Sequence, residues 1–336
     1  MKNGLGPWKI VFLIFLIVGT VYILRNQHPY LNNRGEVFGT YYSITYQAGN
    51  DLHNEIKNVL AKVNASLSPF NKSSIITAIN NNEEIVPDSM FIKVFSLAQS
   101  ISAKTDGAFD ITVAPLVNAW GFGFKEGMPV DSAIIDSLRA LVGYRGVVLN
   151  GGKVTKQDPR TMLDCSAIAK GYGCDMVAGL LESKGVDNFM VEIGGEVVTK
   201  GHNDKGSRWN IGISKPIDDR TASNNGLQEI VQLSDMAMAT SGNYRNYRIE
   251  KGRKVAHTID PRTGYPVEHS LLSATVIADD CATADAYATS FMVMGLDKAM
   301  EICSSEEKIE GFFIYSDENG KLKTTMSKGF RKFLKK

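Results

Sequence analysis

The stretch from Leu163 to Asp175, LDCSAIAKGYGCD, sets a strand-to-helix junction that carries a carboxylate, a lysine and several small residues. Thr161 to Leu163 can end a strand, Ser166 can cap a helix running towards Lys184, and Gly185 can stop it. A helix start aimed at a cleft offers unpaired N–H groups to an anion, and Lys170, one turn in, adds a full positive charge. The pattern points to a phosphate site, with Asp164 placed to hold a hydroxyl, a ring N–H or a metal-bound water. An ordinary capped helix with a solvated lysine uses the same residue types, so the reading needs support from the rest of the chain.

The 336 residues, 43% hydrophobic, can bury one large core or two modest ones. Lys+Arg 37 against Asp+Glu 36 leaves a formal charge of +1. Nothing in that balance favours nucleic acid, and any anion site must be local. Cys165, Cys174, Cys281 and Cys303 show neither CxxC nor Cys/His zinc spacing and are too few for a disulfide framework.

Lys2 and Lys9 precede an uncharged run from Ile10 to Leu24 that ends at Arg25. Its length suits the hydrophobic region of an export signal, typically ~7–15 residues, and is short beside the ~20 of an ordinary spanning helix. No A-x-A-like cleavage site follows and no cysteine stands nearby for lipid attachment, so residues 1–25 are expected to remain as an N-terminal membrane anchor. The basic flank would stay cytoplasmic and the body would lie outside, at the periplasmic face of a bacterial inner membrane. Residues 26–35, rich in Asn, Pro and Arg, read as a linker, and 36–336 as one folded domain.

Val37 to Tyr46 reads as a strand broken by Gly39, and Asp51 as the cap of an amphipathic helix bearing Leu52, Ile56, Val59, Leu60 and Val63. Met90 to Ile101 and Asp131 to Leu141 read as further helices, and Val147 to Lys156 as a hairpin around Asn150-Gly151-Gly152. Gly121 and Gly123 invite a dinucleotide-fold reading, but no strand leads into them and the spacing to Gly127 is wrong. In NFMVEIGGEVVT, Asn188 to Thr199, the paired Gly194-Gly195 inside a strand pattern indicate a bulge or a ligand passing over the backbone. Trp209 to Ile213 and Glu229 to Leu233 are further strands. With strands dominating the middle and no regular βα repeat, the body is α+β.

Two more constellations carry chemistry. HTIDPRTGYP, His257 to Pro266, places histidine, aspartate and arginine within six positions on a turn, where His257 can accept a proton near neutral pH. An Asp–Arg pair that only stiffens the turn is the alternative. In CATADAYATSFMVMG, Cys281 to Gly295, Asp285 and Thr289 stand at i and i+4 of a helix, so both oxygens face one way and suit Mg²⁺ or Ca²⁺. A threonine bonding back to its own helix is the plainer explanation of Thr289.

Taken in order, Leu163 to Asp175, Glu192-Ile193-Gly194-Gly195-Glu196, TSGNY, HTIDPRTG, ADAYATSFMVMG and GAFDITVAPLVNAWGFG resemble the motifs of the ApbE-type FAD:protein FMN transferases, over about Glu36 to Met300. The resemblance implies a single ApbE-like, T-fold-like α+β domain of mixed and antiparallel sheets with flanking helices and FAD in a cleft. It also implies an exported, Mg²⁺-dependent enzyme that splits the FAD pyrophosphate, transfers FMN to a threonine or serine hydroxyl of a target protein and releases AMP.

Carried over by position, Phe38 stands where the family often has Met, and Phe70 where it has an aromatic, often Tyr, against the flavin. Phe70 keeps the apolar surface and loses the phenol. Ala108, Phe109, Asp110, Asp164, Lys170, Ser241 and Ile259 match FAD-contacting positions. The backbone carbonyl of Ala167, with Asp285 and Thr289, matches the metal ligands. His257 is the expected general base, with Asp260 and Arg262 shaping its loop. The targets the resemblance implies are flavoprotein subunits of membrane redox complexes, such as the Na⁺-translocating quinone reductase or Rnf-type carriers. Two alternatives share these residues: a Mg²⁺-dependent FAD pyrophosphatase, and a surface protein that binds flavin without turnover.

Overall fold

The computed structural model describes residues 6–26, 28–216, 226–243, 247–250 and 253–335. The apolar run near the N-terminus is helical, α1 (Pro7–Asn26), with exposed large side chains such as Phe15. Among the described residues no helix is long and apolar enough to cross a membrane.

The folded body begins earlier than the sequence suggested. β1 (Tyr30–Val37) and β2 (Thr40–Gln47) form an antiparallel hairpin, so residues 30–35, expected as linker, belong to the sheet. Their polar side chains find partners there: Asn33 is buried, donates to Asp51 Oδ1 at 3.0 Å and accepts from the Tyr46 hydroxyl at 2.7 Å. Gly39 does not break a strand. Phe38 and Gly39, with φ of 52° and 72°, make the two-residue reversal between the strands, a turn whose twist matches that of the hairpin.

Helices follow: α2 (His53–Leu67), α3 (Ile75–Asn80), α4 (Ser89–Lys104), α5 (Ala114–Ala119) and α6 (Ser132–Arg139). The expected small hairpin is β3 (Val147–Asn150) with β4 (Lys153–Lys156). After α7 (Ser166–Ser183) come β5 (Phe189–Ile193), β6 (Glu196–Lys200), β7 (Trp209–Ser214), β8 (Leu227–Leu233), β9 (Met236–Gly242), β10 (Tyr247–Glu250), β11 (Arg253–Ala256) and β12 (Leu271–Ala278). The chain closes with α8 (Cys281–Met294), α9 (Leu296–Ser305), β13 (Glu310–Ser316) and β14 (Leu322–Met326). Gly194 and Gly195 form neither a bulge nor an interruption: with φ of 65° and 105° they reverse the chain between β5 and β6, which pair antiparallel.

One sheet of eight strands, in the order β1-β2-β5-β6-β9-β12-β13-β14, organises the body, and its neighbours all pair antiparallel. The α+β expectation stands. Strand alternation sends Val276 and Phe313 to the helical side and Ile277 and Phe312 to the opposite side, where Trp209, Val231 and Phe330 cover them. On the helical side α7 lies over β5 and β6, and α8 over β9 and β12. The two helices approach closely because Gly171 has no side chain: a Cβ there would stand 2.3 Å from the carbonyl oxygen of Cys281. Asp175 of α7 ties the start of α8, accepting N–H groups of Cys281 and Ala282 at 2.8 and 2.9 Å.

Candidate active site

Every residue expected in the site lines one cleft of about 700 Å³ on the helical side of the sheet, within the usual range for ligand pockets of about 300–1,000 Å³. The β1–β2 turn brings Phe38, the segment after α2 brings Phe70, and the turn after α4 brings Ala108, Phe109 and Asp110. The start of α7 supplies Asp164, Ala167 and Lys170, β9 supplies Ser241, the loop after β11 supplies His257 and Ile259, and α8 supplies Asp285 and Thr289.

The junction that opens α7 is built differently from expectation. Ser166 is the first helical residue rather than the cap, and Cys165 in the capping position makes no side-chain bond. Asp164 Oδ1 instead accepts the Ser166 N–H at 2.8 Å, while the Asp164 N–H donates to Ile111 at 2.7 Å. Buried Asn80 clamps the preceding residue, donating to Leu163 O at 2.9 Å and accepting Leu163 N–H at 2.7 Å. Burial raises the Asp164 pKa above the usual carboxylate value, against the lowering effect of its bonds to Ser166. Asp110 reaches the wall with its carboxylate already engaged: Oδ1 accepts from the Thr112 hydroxyl at 2.6 Å and Oδ2 from Tyr144 N–H at 2.7 Å. These bonds fix the orientation of the carboxylate at the cleft.

Lys170 lies between two carboxylates, 2.7 Å from Glu196 Oε1 and 3.8 Å from Asp285 Oδ1. Burial works against its charge, but Asp285 and Glu196 outweigh that and hold its pKa above the ordinary lysine value. Burial likewise pushes the Glu196 carboxyl upward, opposed by Lys170. Glu196, 3% exposed, was quoted in the sequence only as part of a motif; the carboxylate directly after a glycine pair was the available signal. Among the described residues its buried Oε2 has no hydrogen-bond partner.

Asp285 is 4% exposed, and its Oδ2 accepts Gly171 N–H at 3.0 Å. Thr289, four residues on, lines the cleft. Ser290 donates to Ala286 O at 2.7 Å, whereas no such back-bond from Thr289 occurs among the described residues. Among the described residues no group of three or more His, Cys, Asp or Glu side chains could hold a metal. Asp285, Thr289 and the Ala167 carbonyl are hard oxygen donors, and a set this small suits Mg²⁺, which is commonly completed by water and substrate phosphate. The residues present fit that ion.

Aromatic side chains border the other end. Phe70, 65% exposed, meets Phe124 edge to face at 6.1 Å, and Phe122 meets His257 in the same manner at 6.4 Å. Arg262 grips Asp260 through two bonds of 2.9 and 2.8 Å, stiffening the His257 loop as its sequence suggested. Trp120 also braces that loop, donating from its ring N–H to Gly264 O at 2.9 Å.

A family model described as the ApbE family matches residues 38–313. The chain belongs to the ApbE family. A Vibrio cholerae protein named FAD:protein FMN transferase is 38% identical over 314 residues, covering 90% of this chain and 92% of that one. A Haemophilus influenzae protein of the same name is 37% identical, covering 89% and 90%. The solved Flavin Transferase ApbE from Vibrio cholerae superposes with a TM-score of 0.82 at 35% identity, over 91% of this chain and all of that one. The apo flavinyl transferase ApbE of Pseudomonas stutzeri gives 0.81 at 31% identity, over 91% and 97%.

Proposed function

We propose that this ApbE-family chain is a Mg²⁺-dependent FAD:protein FMN transferase that attaches FMN through a phosphoester to a threonine or serine of a target flavoprotein. The observation that carries the reading is the convergence of Lys170, Asp285, Thr289 and His257 on one cleft, in a chain whose relatives bear that activity in their names. Apolar surface at Phe70, Phe109 and Ile259 suits the flavin ring. Lys170 and the start of α7 face where the pyrophosphate would lie. Mg²⁺ held by Asp285, Thr289 and the Ala167 carbonyl would neutralise charge on the phosphates.

In the reaction the acceptor oxygen forms a bond to the FMN-side phosphorus while the bond to the AMP oxygen breaks. His257 takes the hydroxyl proton, and Lys170 stabilises charge gathering on the departing AMP. Asp260 and Arg262 hold the histidine loop in place.

Anchoring by α1 at the outer face of a bacterial inner membrane, with redox-complex subunits such as those of the Na⁺-translocating quinone reductase or Rnf-type carriers as acceptors, belongs to the same proposal. Its support is the exposed apolar surface of α1 and the basic residues Lys2 and Lys9 that precede the apolar run in the sequence. The test is incubation with FAD and a candidate acceptor, with and without Mg²⁺, reading covalent flavin by in-gel fluorescence and AMP by chromatography. Mg²⁺-dependent fluorescent acceptor that disappears in Asp285→Ala is expected. Free FMN with unlabelled acceptor would assign a pyrophosphatase, and bound FAD without turnover a flavin-binding protein.

A further inference from the structure

Two buried carboxylates share one lysine, and they share it unequally. Lys170 Nζ stands 2.7 Å from Glu196 Oε1 and 3.8 Å from Asp285 Oδ1. The other oxygen of Asp285 is committed, since Oδ2 accepts Gly171 N–H at 3.0 Å. Oδ1 accepts no hydrogen bond among the described residues, which makes it the less committed oxygen for a cation, and it is the one nearest the ammonium. A half-buried lysine without a partner would be drawn to the nearest carboxylate, because an unpaired charge in such a place is costly.

We propose that Glu196 is a positioning residue for the divalent cation: by gripping Lys170 it keeps Asp285 Oδ1 open. This inference rests on the reading of Asp285 as a metal ligand. Glu196 is fixed for the task. It is the first residue of β6, paired across the hairpin with Ile193, and its backbone carbonyl accepts the Cys174 thiol of α7 at 3.3 Å. Its second oxygen, Oε2, is buried without a hydrogen-bond partner among the described residues, so Lys170 is the side chain that engages this carboxylate. An oxygen left unpaired in the interior is destabilising and is retained where the group has another use.

The test titrates the full-length protein with Mn²⁺ as the probe and counts free ion by electron paramagnetic resonance, with circular dichroism and melting curves run on each variant. Glu196→Gln removes the grip while keeping the shape. Glu196→Asp keeps the charge but withdraws it from the lysine. Both are expected to weaken Mn²⁺ binding about 10–100-fold, the usual effect of losing a group that orients a ligand. Adding Lys170→Gln to Glu196→Gln is expected to recover most of that loss, since no ammonium then competes for Asp285.

Unchanged Mn²⁺ affinity in Glu196→Gln would overturn the proposal. So would wild-type affinity in Glu196→Asp alongside a weak Glu196→Gln, because charge alone would then explain the effect, and so would a double variant as weak as the single one. Wild-type Mn²⁺ binding by Asp285→Ala is a separate outcome that removes Asp285 as the ligand and the proposal with it. The two Glu196 variants perturb folding differently, so a melting defect in one leaves the other to decide.

Discussion

Replacing Gly171 by alanine should pull apart the two helices that carry the site. A Cβ at residue 171 would lie 2.3 Å from Cys281 O, 2.6 Å from its carbonyl carbon and 2.9 Å from Ala282 N. These are backbone atoms of the first turn of α8, held by Asp175, so no side chain can rotate away. Restoring ordinary contact requires a shift of roughly 1 Å between α7 and α8, at the upper end of the overpacking cost of about 1–3 kcal/mol. Alanine returns up to ~1 kcal/mol of helix propensity, which leaves a net destabilisation of about 2 kcal/mol.

Gly179 of the same helix is the control. It is exposed and meets nothing within 4 Å of a built Cβ, so Gly179→Ala should stabilise by about 0.5–1 kcal/mol. Urea unfolding followed by circular dichroism would measure both. Equal stability of the two variants, or a more stable Gly171→Ala, would refute the close-approach argument. The substitution should also weaken Mn²⁺ binding, because Gly171 N–H orients Asp285.

Asn80→Ala leaves the buried N–H and C=O of Leu163 without partners and should cost roughly 2–5 kcal/mol by urea unfolding, with weaker FAD binding as Asp164 loosens. Phe70→Ala removes an exposed ring that meets Phe124 edge to face, and should weaken FAD binding by about 0.5–1.5 kcal/mol in a fluorescence titration, while Phe70→Tyr should leave it unchanged. Burial pushes Asp175 up to about 7, above its unfolded value. The folded state then binds the proton more tightly, so this carboxyl's contribution to stability is present at acid pH and is lost as pH rises towards 7, by at most ~1.4 kcal/mol per pH unit. Melting temperatures of wild type relative to Asp175→Asn should fall over that window, and parallel curves would exclude it. His257→Ala should lower FMN transfer by about 10²–10⁴-fold under saturating FAD and Mg²⁺, and near-normal transfer would remove the general-base assignment.

Local chemistry made much of this arrangement readable in the sequence. Asp131 and Gly151-Gly152 act through their own neighbours, and the helix start and hairpin they announce are present. Gly185, with φ of 75°, follows α7 where a stop was expected. The misreadings share a different cause. Gly194-Gly195 and Phe38-Gly39 turn the chain back on itself, and a strand pattern continuing on both sides of such a pair looks the same whether the strand runs on or reverses. β1 was hidden because Asn33 and Asn32 gain their partners from β2 and Asp51, which no periodicity announces. Glu196 and Asn80 were missed as working residues for the same reason: their roles come from Lys170 and Leu163, 26 and 83 positions away.

The cleft is lined by residues from Phe38 at one extreme to Val293 at the other. It needs β6 and β9 side by side, and α8 settled against α7. Contacts so distant along the chain form late, after the entropy of closing the intervening loops has been overcome. A chain still being synthesised, or drawn out in extended form, has Lys170 but not yet Asp285 beside it. The pairing of Lys170 with Asp285 thus exists only once α8 has docked against α7, which makes the cleft one of the last features of the fold to be completed.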